Sequence, residues 1–402
     1  MNSMNLTPIE TIDNISKDIN YCEQEPNEIF LYDTIFYGYI STILIILGIF
    51  GNYFNYCIFS ESSKSNLGLY YMKIIALLDF CVCVISIEIP VINLAEKYGL
   101  FIAVDFDHVW FQVYISFILT NSLMKTSSLL ILLVCTERYL FIYNSDLHFK
   151  WKKRGWIKAM PWVCFLVSFI LCLPQVLIHT VVYCFDKRLM SWRYTYDIII
   201  SRPKLLTFYT VVREFVLTLL PLAVALCFNA ELLRAFYKYY YRPGNITTTT
   251  SVDVKQITPA RHNIQVVRKK VIGQMASENF QIINKKSKVN PHKIPMSNEI
   301  NSNIPVQEGR IKGREMLVLL FSFVAFYAFF ILPISILTIL YPFIYKNCHS
   351  EPCLYRILIC TFNTLELCHY SLSFYLYLIV DSKFRVIFHE LLFCNKLVGP
   401  IE

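Results

Sequence analysis

Long apolar runs alternate with short polar stretches along the chain. Seven runs are long: Ile35–Phe59, Leu69–Ile92, Val113–Leu140, Ile157–Ile178, Phe208–Phe228, Met316–Tyr341 and Ile357–Val380. A bilayer core about 30 Å thick takes roughly 20 apolar residues of helix. Each run is too long for a buried strand, and hydrocarbon offers no water to its backbone, so each is expected to be helical. The pattern predicts an all-α membrane protein, a seven-transmembrane helix bundle. After the last run, Phe384, Ile387, Phe388, Leu391 and Leu392 recur at helical spacing beside Lys383 and Arg385. That spacing predicts a short amphipathic eighth helix in the membrane interface.

The polar stretches set the expected organisation. Residues 1–34 read as an extracellular N-terminal tail, 35–236 as spans one to five, and 237–315 as a long cytoplasmic loop. Residues 316–380 read as spans six and seven, and 381–402 as a cytoplasmic amphipathic helix and tail. The tail lacks an apolar core, so no cleaved signal peptide is expected. The long loop carries Thr247–Thr250, Arg268-Lys269-Lys270 and Lys285-Lys286. It reads as largely disordered, with its ends extending the fifth and sixth helices. The threonine run is either a phosphorylation site or a flexible linker. The alternating stretches Thr180–Phe185 and Trp192–Tyr196 suggest a hairpin lid between spans four and five.

Basic residues orient the bundle. Lys150, Lys152, Lys153, Arg154 and Lys158 follow the third span, Arg310, Lys312 and Arg314 precede the sixth, and Lys383 and Arg385 follow the seventh. Their excess favours an outer N-terminus and a cytosolic C-terminus. The sequons at Asn5 and Asn14 agree as glycosylation candidates, and that at Asn245 should stay unmodified.

Composition then narrows the function. Hydrophobic residues make up 55% of the 402 and charged residues 16%, against about 25% charged in soluble domains. An ordinary cytosolic enzyme, a disordered protein and a nucleic-acid-binding module are excluded. Fourteen cysteines are too few for a disulfide scaffold. His389-Glu390 begins like a zinc-protease motif, but Phe393 stands where the second histidine is needed, so no enzyme is expected. No cofactor is expected either.

Polar landmarks fall one per span. Asn52 follows Gly51 in the first, and Asp79 lies deep in the second. Glu137-Arg138-Tyr139 closes the third, and Trp162 with Pro174 marks the fourth. Pro221 interrupts the fifth and Pro333 the sixth, and Ser373-Phe374-Tyr375-Leu376-Tyr377 ends the seventh. A charged side chain within a bilayer is costly, so Asp79 must face a polar bundle interior.

In this order the landmarks resemble rhodopsin-like (class A) G-protein-coupled receptors over roughly Tyr32 to Cys394. Tyr39–Asn55, Leu219–Leu222 with Asn229, and Ser371–Tyr377 with Lys383-Phe384-Arg385 look most like invertebrate FMRFamide- and myosuppressin-type neuropeptide receptors. The resemblance implies an extracellular peptide ligand, a heterotrimeric G protein and, after activation, arrestin and a receptor kinase, in the plasma membrane. It implies an activation switch of Asp79, Asn52, Ser127, Glu137, Arg138, Tyr139, Pro333, Ser373 and Tyr377. Arg138 would be locked by Glu137 until the sixth helix swings out. Asp79 would help bind sodium, with Ser127 and Asn52 as neighbours. Cys394 would be a palmitoylation site or an ordinary thiol.

The chain also departs from that family. Ile331 replaces the usual tryptophan two residues before Pro333, Ser373-Phe374 replaces Asn-Pro, and His369 stands one turn earlier. Losing that proline should leave the seventh helix straighter. Around His108–Tyr114 there is no cysteine, so Cys184 lacks the family's usual partner. The outer cysteines Cys22, Cys184, Cys348 and Cys353 allow three pairings: a Cys348–Cys353 ring with a tail tether Cys22–Cys184 competes with a bridge from the tail to the third outer loop and with a free Cys184.

Polar residues in the outer halves of the spans mark a ligand pocket: Glu88, Lys125, Arg213, Glu214 and Glu366. They either serve a ligand or pair with one another, for example Lys125 with Glu366 or Glu214. A ligand cation would suit Glu88 and Glu366. The acidic N-terminal tail would either steer a basic peptide or simply be solvated. A chemosensory receptor for small molecules is the alternative within this architecture. A transporter or channel is the alternative outside it, and the odd span number and unrelated halves argue against it.

Overall fold

The computed structural model describes residues 27–62, 67–98, 106–153, 155–177, 179–186, 191–198, 203–240, 304–345 and 352–393. Asn5, Asn14, Cys22, residues 241–303, Cys348 and Cys394 lie outside these, as does the side chain of Cys353.

The first span comprises α1 (Asn27–Asp33), a π-helical stretch Thr34–Ile40 and α2 (Ser41–Ser62). The second comprises α3 (Leu67–Ile85) and α4 (Glu88–Lys97). The third comprises α5 (Phe106–Phe111), π-helical Gln112–Ser116 and α6 (Phe117–Tyr143). A short helix α7 (Ser145–Lys153) follows, and then the fourth span, with α8 (Met160–Cys172) between two 3-10 turns. Two strands, β1 (His179–Asp186) and β2 (Ser191–Ile198), pair antiparallel. The fifth span joins α9 (Pro203–Glu214), π-helical Phe215–Leu219 and α10 (Leu220–Tyr240). The sixth is α11 (Ile304–Tyr345) and the seventh α12 (Pro352–Val380), with α13 (Ser382–Leu392) after it. Together they form a seven-helix bundle.

Six of the spans are long and apolar enough to cross a membrane by length and composition. The seventh carries Asn363, Thr364, Glu366 and His369, a polar content that suits a face turned inward. The outward faces carry large apolar side chains. Ile43, Ile46 and Phe50 form an exposed stripe on α2, and Trp162, Leu166 and Ile170 form one on α8, with Trp162 74% exposed. Water would not tolerate stripes of this kind on every helix, whereas lipid tails do. Hydroxyls within the spans satisfy themselves: Ser122 donates to the Ile118 carbonyl at 2.7 Å and Thr126 to that of Ser122 at 2.6 Å.

The main core lies between the spans, around Val82, Leu130, Phe323 and Tyr377. The first and seventh spans approach closely because α2 has glycines where they meet. A Cβ on Gly51 would lie 2.8 Å from the Phe374 Cβ, and one on Gly48 would lie 3.0 Å from the Ser371 Cα. Gly51→Ala should therefore force the two helices apart and cost about 1–3 kcal/mol as overpacking. The check is the thermal unfolding midpoint of the detergent-solubilised protein, and an unshifted midpoint would count against so tight a contact.

Proline effects differ by position. The seventh helix, with Phe374 in place of proline, runs unbroken from Pro352 to Val380. The sixth also continues through Pro333. The second breaks at Ser86–Ile87 and restarts at Glu88, with Pro90 near its new start, where a missing N–H costs nothing. Asp381 caps α13 by accepting the backbone N–H groups of Lys383 and Phe384.

Candidate functional site

Two polar constellations occupy the bundle, an outer one nearer the β1–β2 hairpin and an inner one running to the opposite end. The outer one depends on the π-helical stretch of the fifth span. Pro221 has no N–H for the Leu217 carbonyl one turn back, and the turn before it widens. Arg213, Glu214 and Thr218 thereby all become buried. Lys125 of α6 donates to Glu214 Oε2 and to Thr218 Oγ1, each at 2.8 Å. Arg213 donates to Glu214 Oε1 through Nη2 at 2.8 Å and Nε at 3.1 Å. Glu214 is thus saturated by two cations. Glu366 of α12 is half-buried and within electrostatic range of Lys125, Arg213 and Glu214. Among the described residues it has no hydrogen-bond partner. Glu88, at the start of α4, accepts a hydrogen bond from Ser116 Oγ.

The expected lid is present as the β1–β2 hairpin, in which the Tyr183 and Tyr194 rings lie 4.7 Å apart and Phe106 meets Tyr194 at 5.4 Å. Tyr114 anchors its base by donating to the His179 carbonyl at 3.1 Å. A cavity of about 200 Å³ lies there, lined by Gln112, Val113, Phe117 and His179. Burial holds the His179 imidazole below its ordinary pKa, so the ring is neutral at pH 7. Cys184 is disulfide-bonded rather than free.

The inner constellation begins at Asp79, fully buried, whose Oδ1 accepts from Ser127 at 2.9 Å. Its Oδ2 is buried without a partner. Asn52 is engaged elsewhere: its amide donates to the Tyr370 carbonyl at 2.7 Å, and its carbonyl oxygen accepts from Ser373 at 3.2 Å. Asn55 adds a donor toward Ser373 at 3.4 Å. Among the described residues Ser127 is the side chain that reaches Asp79, which falls short of the oxygen shell a hard cation needs. Among the described residues this donor set does not fit a sodium ion. His369 is fully buried among Phe323, Phe326, Tyr327 and Tyr370, all with ring centres within 6.0 Å.

At the end of the bundle away from the hairpin, Arg138 Nε lies 3.0 Å from Glu137 Oε2. Tyr139 stacks on Phe228 of α10 at 4.6 Å. Tyr377 stacks on Phe323 of α11 at 5.7 Å and meets Phe59 edge-on at 5.3 Å. Pro333 lies in α11, away from these contacts. Sequence reasoning missed Ser116, Thr218, Asn55 and His148. Hydroxyl and amide side chains and single histidines are common in helices, and only the packing of neighbouring helices distinguishes these.

The model of the 7 transmembrane receptor (rhodopsin family) matches residues 55–372, more than half of the chain. No curated protein matches it. With seven packed helices, Asp79 buried in their centre and Arg138 held by Glu137 toward one end, the chain belongs to the rhodopsin family of seven-transmembrane receptors.

Proposed function

We propose a ligand class and a membrane orientation for this chain, a multi-pass membrane protein of a family whose members are not enzymes but respond to an extracellular ligand and signal through G proteins. We propose that its ligand is a short cationic peptide, and that the receptor sits in the plasma membrane with its N-terminus outside. The observation that carries the ligand class is Glu366. Lys125 and Arg213 are both spent on Glu214, which leaves Glu366 as a half-buried carboxylate with no donor among the described residues. A ligand guanidinium or ammonium would supply that donor. Glu88 is a weaker candidate, because Ser116 already donates to it. Lys150, Lys383 and Arg385 share the bundle end of Arg138, which supports the orientation. Arrestin and receptor-kinase binding follow from the same reading.

A peptide library with second-messenger readouts tests the ligand class. For an active peptide, Glu366→Gln should reduce potency about tenfold to a hundredfold, the worth of one charge-assisted hydrogen bond. Replacing the peptide's arginine by citrulline should add nothing in that variant. Unchanged potency at normal surface expression would remove Glu366 from the site, and responses to small neutral molecules alone would favour a chemosensory receptor.

A further inference from the structure

The lock at the cytosolic end has a third member. Asn144 ends α6 with a non-helical backbone, and its side-chain oxygen accepts the Leu147 N–H at 3.1 Å, which starts α7 in a new direction. That turn brings His148 back against the third span. Its Nε2 lies 3.0 Å from Glu137 Oε1, while Arg138 occupies the other carboxylate oxygen. His148 is 6% exposed and Glu137 3%. Phe141 meets the imidazole edge-on at 5.1 Å. On the far side Gly68 of α3 leaves room for the pair, since a Cβ there would lie 2.7 Å from Arg138 Nη2 and 3.1 Å from Glu137 Oε2. A carboxylate only accepts, so the imidazole must donate through Nε2.

We propose that His148 is a positioning residue of the G-protein switch: it holds Glu137 in place on Arg138 and so suppresses signalling in the absence of ligand. The hydrogen bond from His148 orients one oxygen, so that the other faces Arg138 as its ion-pair partner. Without His148 the carboxylate can rotate, and the guanidinium is released more often. Because α7 lies on the surface beside Arg138, a partner that draws α7 outward also withdraws this donor. The proposal rests on the family's switch and not on the peptide reading, and its test uses no ligand.

The test is ligand-free nucleotide exchange by the full-length receptor in nanodiscs, with heterotrimers covering each α-subunit class. His148→Ala and His148→Phe should raise exchange about tenfold, the worth of one hydrogen bond to a charged group. His148→Phe keeps the ring against Phe141 but donates nothing. His148→Gln keeps a donor and should stay near the parent level. On a Glu137→Gln background, His148→Ala should add no further rise. Spin-label distances between the cytosolic ends of α6 and α11 report the same equilibrium without a G protein. There His148→Ala and His148→Phe should populate the longer distance, and His148→Gln should not. A silent His148→Phe with an activated His148→Gln would make the role one of packing and overturn the proposal. So would full additivity with Glu137→Gln, or identical distance distributions in all variants.

Discussion

Glu214→Ala should destabilise the receptor by about 3–5 kcal/mol, because it strands two cations in the bundle interior. Both Glu214 oxygens are used, one by Arg213 and the other by Lys125 with Thr218 beside it. The side chains of Lys125 and Arg213 are each 8% exposed. Arginine keeps its charge in any protein environment, so the stranded charge falls hardest on Arg213. Lys125→Met should cost less, since Glu214 keeps its two bonds from Arg213. Thermal unfolding in detergent and the fraction of protein reaching the cell surface measure the order. If Glu214→Ala unfolded no more easily than Lys125→Met, the cluster would not act as a charge-balanced unit.

Arg138→Ala should abolish G-protein activation while leaving ligand binding intact. Arg138 sits near the end of the third span away from the hairpin, held at 3.0 Å by Glu137, with its own side chain 14% exposed. A guanidinium keeps its charge in either state of a two-state switch, so it can exchange one partner for another, and alanine offers nothing to either state. Ligand-stimulated nucleotide exchange in nanodiscs should fall to the level of receptor-free discs. Exchange at full size in this variant would remove Arg138 from the switch.

Much of this architecture was legible in the sequence because hydrocarbon leaves the backbone one solution. Seven apolar runs had to become helices, and the alternating residues around Val181 and Tyr194 had to pair as strands once they left the bilayer. The Ser127–Asp79 contact was also within reach, since a buried carboxylate needs a donor. The partner of Lys125 was not. Glu214 and Glu366 were equal on spacing, and the widened turn after Glu214 brings that carboxylate within reach of Lys125. The neighbourhood of Asn52 was misread for a related reason. Its closest acceptor is a backbone carbonyl of the seventh span, and no side-chain pattern reports backbone proximity. His148 lies eleven residues beyond Glu137, and only the sharp reversal at Asn144 joins them.

The contact at Gly51 has a mechanical consequence. Phe374, seated against that glycine, also packs its ring against Phe54, Phe384 and Phe388, and Asn52 ties the same helices through Tyr370. The first span, the unkinked seventh span and α13 are therefore clamped into one stiff wall. In a machine built this way the wall is the stator. The sixth span is the rotor, touching the wall through flat aromatic faces such as Phe323 on Tyr377, which can slide without breaking a hydrogen bond.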